Sequence, residues 1–233
     1  MNSQLKSIAQ SYDRAIELGK KGVDLYKNLP EYLKNDPDYS KFQMARECGI
    51  DSDSGRIEIR YFLSPAQKMK FVDLGCCLNL MFNGYDQWPS TYYGVDISDE
   101  TIKLLKQYSQ KNNLNVGALH CGSIHKTPFE DNYFEIGACI GVLEYFEKNF
   151  VMEALIEAHR ILKPRSKFVL DVPDNAGKMR RFMNLIETSM GRPDKFDISI
   201  KEFEDILLNL FEVERREEME AVSMIQYFLK RKA

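Results

Sequence analysis

From Lys68 onward the chain alternates short apolar runs with longer amphipathic runs, and few folds accept that rhythm. Residues 71–74, 92–95, 116–121, 134–142 and 167–172 read as buried strands, each short and apolar. Helical periodicity separates them. Ser98 has the chemistry of an N-cap, with Asp99 and Glu100 in the first turn where the helix dipole favours acids. Ile102, Leu104, Leu105 and Tyr108 give that helix an apolar side. Residues 151–162, 179–190 and 200–210 read as further helices, and 211–213 and 224–229 as closing strands. Strand and helix in alternation imply an α/β fold, a mainly parallel sheet with helices on both faces. Ligands of such sheets bind beyond the carboxyl ends of the strands, where strand order reverses. The polar residues expected there are Asp73 and Gly75, Asp96, Gly122 and Ser123, and Gly141 with Glu144.

The N-terminal segment, residues 1–60, follows a different pattern. Across 3–28, Leu5, Ile8, Ala9, Tyr12, Ala15, Ile16, Leu18 and Val23 recur at helical spacing, and Pro30 stops the run. A weaker helical pattern occupies 36–50, and 51–55 has turn composition. Residues 56–63 alternate like a strand yet carry apolar i, i+4 pairs, and helix is preferred. The expected organisation is a helical cap over 1–60 and a main domain over 61–233. Tyr12, Tyr26 and Tyr61 are candidates to face the cleft. The cap reads either as a cover that excludes water or as a homodimer surface.

Composition narrows the function classes. Hydrophobic residues at 44% and charged residues at 29% exclude disordered and low-complexity chains. Lys+Arg 32 against Asp+Glu 35 leaves a net charge of −3, which counts against nucleic acid as a partner. No apolar run approaches the roughly 18 residues of a membrane span, and residues 1–21 lack the apolar core of a secretory signal. The 5 cysteines (Cys48, Cys76, Cys77, Cys121 and Cys139) include no C-x-x-C pair. The reading is a reduced, cytoplasmic protein with neither a disulfide framework nor a metal site.

Two strings carry the chemistry. In Phe71-Val-Asp-Leu-Gly-Cys76 a strand runs into a glycine turn, and in Tyr93-Gly-Val-Asp-Ile-Ser98 a strand ends in an acid. An ionised carboxylate offers only acceptors, so Asp96 suits the two hydroxyls of a ribose. Its distance from Gly75 is close to the roughly 20 residues of a nucleoside-binding βαβ unit. Taken singly, each piece reads as ordinary turn punctuation.

With three further strings they resemble the class I S-adenosylmethionine-dependent methyltransferases, in particular the small-molecule (type 11-like) branch near the ubiquinone and menaquinone methyltransferases. Those strings are Cys121-Gly-Ser-Ile124 with Thr127-Pro-Phe-Glu-Asp-Asn-Tyr-Phe134, Gly141-Val-Leu-Glu-Tyr-Phe146, and Arg160-Ile-Leu-Lys-Pro164. The resemblance spans about Lys68 to Pro173. It implies a Rossmann-like seven-stranded sheet, S-adenosylmethionine as cofactor and a small-molecule methyl acceptor as partner. It also implies a cofactor site of Asp73, Gly75, Cys76, Cys77, Asp96, Ile97, Gly122, Ser123, Ile124, Ile140 and Gly141. Asp73 and Gly75 would lie under the methionine part, Ile97 and Ile124 against the adenine, and the main chain of Ile140 and Gly141 at the methionine amino group. Two positions depart from the family pattern. Cys77 and Asn79 stand where further glycines are usual, so Asn79 is expected to take over left-handed geometry, or Cys77 to turn with negative φ. Ser123 stands where Asp is common and brings no charge.

Methyl transfer from a sulfonium is an in-line displacement, and positioning supplies much of its acceleration. A hydroxyl acceptor also benefits from a base. His125, Glu144 and Tyr145 are the candidates for reacting groups. His120 and His159 read as structural. The aromatic loop 82–89, with Trp88, is weighed as a pocket wall against an ordinary packed loop. Segment 175–197 is weighed as a second lid whose Lys178, Arg180 and Arg181 meet an anionic substrate or water. The favoured function is methyl transfer to an O, N or C atom of a small molecule. The alternatives are a protein or RNA methyltransferase, a non-catalytic scaffold of the same fold, and last a nicotinamide oxidoreductase.

Overall fold

The computed structural model describes residues 3–47 and 56–233, so Cys48 and the turn expected at 51–55 lie outside the described residues. The strands are β1 (Lys70–Leu74), β2 (Thr91–Asp96), β3 (Val116–Cys121), β4 (Phe134–Cys139), β5 (Leu162–Pro173), β6 (Phe211–Met219) and β7 (Met224–Arg231). They form one seven-stranded sheet in the order β3-β2-β1-β4-β5-β7-β6. β1 to β5 are parallel, and β7 runs antiparallel between β5 and β6. Strand order reverses between β1 and β4, which opens a crevice at the carboxyl edge.

Nine helices are described: α1 (Ser3–Lys20), α2 (Glu31–Lys34), α3 (Tyr39–Glu47), α4 (Arg56–Leu63), α5 (Asn79–Phe82), α6 (Asp99–Lys111), α7 (Lys148–Ile161), α8 (Arg180–Ser189) and α9 (Ile200–Leu210). The two sheet faces bury separate apolar layers. Leu5 and Ile8 of α1, Val151 and Leu155 of α7 and Phe203 and Leu207 of α9 pack on one face. Ile59 and Leu63 of α4 and Ile102 and Leu105 of α6 pack on the other. Residue alternation along β1 serves both, with Phe71 in one layer and Val72 in the other. A third cluster joins Leu29, Leu33 and Phe42 of the N-terminal segment to Phe182 and Ile186 of α8.

Several boundaries differ from the sequence reading. The first helix stops at Lys20 rather than 28 because Gly22 takes φ 77; Val23 N donates to Leu18 O at 3.0 Å and Gly22 N to Gly19 O at 2.9 Å, a Schellman closure. Of the pattern expected at 36–50, residues 36–47 form the end of a turn and α3, and 48–50 lie outside the described residues. The strand expected over 134–142 ends at Cys139, because Gly141 turns with φ 69. β6 runs to Met219, well past 213. Its run of Glu and Arg carries no apolar alternation, as befits an exposed edge strand. Ser98 caps α6 as expected, its Oγ accepting from Thr101 N. Among the described residues no helix is long and apolar enough to cross a membrane.

Candidate active site

Two turns press together at the carboxyl edge. After β1 the chain turns at Gly75 with φ 75, and Gly75 N and Cys76 N donate to Val95 O at 2.8 and 2.9 Å. A Cβ on Gly75 would lie 2.2 Å from Val142 Cγ2 in the turn after β4, so no larger residue fits. Cys77 continues in left-handed geometry with φ 39, which corrects the negative φ weighed for it. Asn79 does not supply that geometry. It opens α5, and its side chain donates to Asp73 Oδ2 at 3.0 Å.

The left-handed turn aims Cys77 N at Asp96 Oδ2 (2.8 Å), while Ser98 N donates to Oδ1 (2.8 Å). Burial outweighs both bonds and pushes the Asp96 carboxyl up to about 6. Burial likewise pushes the Cys77 thiol up to about 12, so it stays protonated. Asp73 lies beneath this turn, fully buried, and also accepts from Tyr92 Oη at 2.8 Å. Cys76 is fully buried beside it. Gly122 N donates to Asp96 O at 2.8 Å.

Two cavities open from these turns. The smaller, about 70 Å³, is lined by Gly75, Cys77, Asp96, Ile97, Ser123, Ile124, Ile140 and Gly141, and closed on its outer side by Leu5, Ile8 and Tyr12 of α1. The larger, about 440 Å³, is lined by Glu144, Asp171, Arg180, Glu187, Arg192, Asp194 and Gln226 among others. Tyr12, Cys77, Ile140, Gly141 and Tyr145 line both, so the two spaces share a wall. Asp73, Cys76 and Gly122 line neither cavity.

The candidate reacting groups separate. Glu144 and Tyr145 line the larger cavity. Burial and the neighbouring Asp171 raise the Glu144 carboxyl. His125 lines neither cavity; its Nδ1 lies 2.6 Å from Ser123 Oγ and its ring packs on Phe150. His159 packs on Phe211, and the His120 ring flanks Gly122. Tyr61 is 83% exposed on α4, away from both cavities, which corrects its placement at the cleft. Trp88 packs on Phe71 and Tyr85 inside the core, so its loop is a packed loop. Of the basic cluster at 178–181, Arg180 pairs with Asp194 and Arg181 with Asp36 and Asp38.

The roof of the larger cavity is a polar network that sequence reading missed. Arg192 is 5% exposed and pairs with Glu187. Its guanidinium lies 4.4 Å from the Tyr12 ring centre. Tyr145 Oη donates to Glu187 Oε2 at 3.1 Å and lies 3.2 Å from Tyr12 Oη. Tyr12 comes from α1, Tyr145 from the turn after β4, and Glu187 and Arg192 from α8 and beyond. No local spacing signals such a meeting.

The comparisons with known proteins converge on this architecture. Residues 72–170 match a family model described as a methyltransferase domain. An uncharacterized protein of Methanocaldococcus jannaschii is 33% identical over 101 residues, 43% of this chain and 39% of that protein. This chain therefore spans well under half of that curated relative. Among solved structures, geranyl diphosphate C-methyltransferase from Streptomyces coelicolor, in complex with Mg2+, geranyl-S-thiolodiphosphate and S-adenosyl-L-homocysteine, aligns with TM-score 0.70 and 14% identity, covering 99% of this chain and 98% of that one. A Pyrococcus horikoshii protein aligns with TM-score 0.62 and 20% identity, covering 88% of this chain and 100% of that one. At these identities the structural matches speak for the fold. Residues 72–170 thus match a methyltransferase-domain model, and the chain shares its fold with geranyl diphosphate C-methyltransferase.

Proposed function

We propose that this chain transfers a methyl group from S-adenosylmethionine to a small-molecule acceptor held in the larger cavity. The observation that carries this reading is the shared wall: a nucleoside-suited pocket and a polar pocket of about 440 Å³ adjoin along Tyr12, Cys77, Ile140, Gly141 and Tyr145. The larger volume falls in the usual range of small-ligand sites, roughly 300–1,000 Å³.

The residues of the smaller cavity suit the donor. Asp96 presents acceptors to the two ribose hydroxyls, and its two backbone hydrogen bonds fix the carboxylate in place. Ile97 and Ile124 give the adenine apolar faces. The bare Cα of Gly75 leaves the backbone open to close approach. The main chain of Ile140 and Gly141 meets the methionine end. Gly141 N donates to Asp171 Oδ1 at 2.8 Å, which holds that turn against β5. When bound, the sulfonium supplies an electrophilic methyl carbon. An acceptor reaches it from the larger cavity, where a near-attack distance of about 3–3.5 Å can be set by the walls. Tyr12 and Tyr145, joined to Glu187 and Arg192, exclude water from the closed site.

Calorimetry with S-adenosylmethionine and S-adenosylhomocysteine tests the reading. Binding by the native protein that falls at least tenfold in Asp96→Ala is expected. No binding, or binding indifferent to the substitution, would remove the donor assignment.

A further inference from the structure

The larger cavity carries an imbalance of charge and of hydrogen-bonding capacity. Its walls hold four carboxyls (Glu144, Asp171, Glu187 and Asp194) against two guanidiniums (Arg180 and Arg192). Both guanidiniums are matched within the wall, Arg192 to Glu187 and Arg180 to Asp194. Neither is left as a free cradle for a phosphate or carboxylate. Two acceptor atoms in its lining are also unsatisfied. Glu144 Oε2 is buried in the turn after β4, and Gln226 Oε1 is buried on β7, and neither has a hydrogen-bond partner among the described residues. Gln226 is 1% exposed and stands beside Asp171 in the β5–β7 register. A buried acceptor without a donor is costly, roughly 1–3 kcal/mol, and a ligand that brings donors recovers that cost. Hydroxyls and ammonium groups both bring donors. Asp171, Glu187 and Asp194 outnumber the two guanidiniums even while Glu144 holds its proton, and that excess favours the one that also brings positive charge.

We propose that the methyl acceptor is an amine, held by Glu144 and Gln226, with its body among Tyr12, Tyr26 and Tyr145. This inference rests on the methyl-transfer reading above and names its substrate class. Glu144 takes a proton from the entering ammonium and leaves a neutral nitrogen. The nitrogen lone pair then forms the new N–C bond as the S–C bond breaks, and that bond's electron pair stays on sulfur. The proton on Glu144 passes to water. Burial and the facing Asp171 and Glu187 make Glu144 a stronger proton acceptor than a surface carboxylate, with Arg192 opposing them.

The test is calorimetric binding of matched probes to the protein saturated with S-adenosylhomocysteine. The probes are phenethylamine, 2-phenylethanol and phenylacetate, then hexylamine, hexanol and hexanoate. The amine of each set is expected to bind at least tenfold tighter than its alcohol and its acid. That preference is expected to shrink to threefold or less in Glu144→Gln and to weaken in Gln226→Leu. Retained S-adenosylhomocysteine binding with no amine preference, or with no probe bound at millimolar concentration, would overturn this inference alone. It would also be overturned if Glu144→Gln lost affinity for S-adenosylhomocysteine yet kept the amine preference, because the carboxyl would then serve the methionine end. No binding of S-adenosylhomocysteine by the native protein would overturn the methyl-transfer reading and this inference with it.

Discussion

At the residue scale, the site depends on what a single Cβ would do. Gly75 turns with φ 75, and an added methyl would meet Val142 Cγ2 at 2.2 Å. Overpacking and left-handed strain together put Gly75→Ala at about 2–4 kcal/mol of lost stability, read as a lowered urea midpoint. Its Asp96 neighbour sets a pH dependence. The buried carboxyl holds its proton up to about pH 6, whereas donor hydroxyls need the ionised form. Affinity for S-adenosylmethionine should therefore fall about tenfold per pH unit below that value and stay level above it. Asp96→Asn should flatten the profile. Gly75 and Asp96 were legible in the sequence because each acts through its own backbone or charge. The sign of φ at Cys77 was not, since its turn is held by a bond to Asp96, 19 residues away.

At the element scale, α1 closes the donor cavity. Leu5, Ile8 and Tyr12 form its outer wall. Gln4 Nε2 donates to Tyr145 O, Ser11 Oγ to Met190 O, and Ser98 Oγ to Asp13 Oδ1. The enclosed space is about 70 Å³, below the roughly 300 Å³ at which small-ligand pockets begin, so outward movement of α1 on donor binding is expected. Amide hydrogen exchange across α1 should slow at least tenfold on adding S-adenosylhomocysteine. Unchanged exchange would mean the helix is not part of the gate. The apolar stripe of α1 was readable from its spacing. Its partner was not, because any apolar face on the sheet satisfies the same stripe.

At the scale of the whole molecule, the N-terminal helices α2 and α3 pack against α8. Two kinds of contact join them. Arg181 clasps Asp36 and Asp38 at the surface, and Leu29, Leu33 and Phe42 pack on Phe182 and Ile186. Exposed ion pairs contribute little, whereas burying an aromatic ring contributes several kcal/mol. Phe182→Ala should cost about 3–5 kcal/mol, while Arg181→Ala should leave the Tm unchanged. Differential scanning calorimetry of the two variants separates these contributions.

The alternation of strand and helix, the Ser98 cap, the Gly75 turn and the acid at the end of β2 are all readable from residue order. These depend on residue chemistry read within one or two turns of chain. Where Tyr61 and Trp88 point, how far β6 extends, and the meeting of Tyr12, Tyr145, Glu187 and Arg192 in one hydrogen-bonded roof emerge from the folded chain alone. Those outcomes follow from packing between segments far apart in the chain, and neighbouring residues carry no record of which distant surface they will meet.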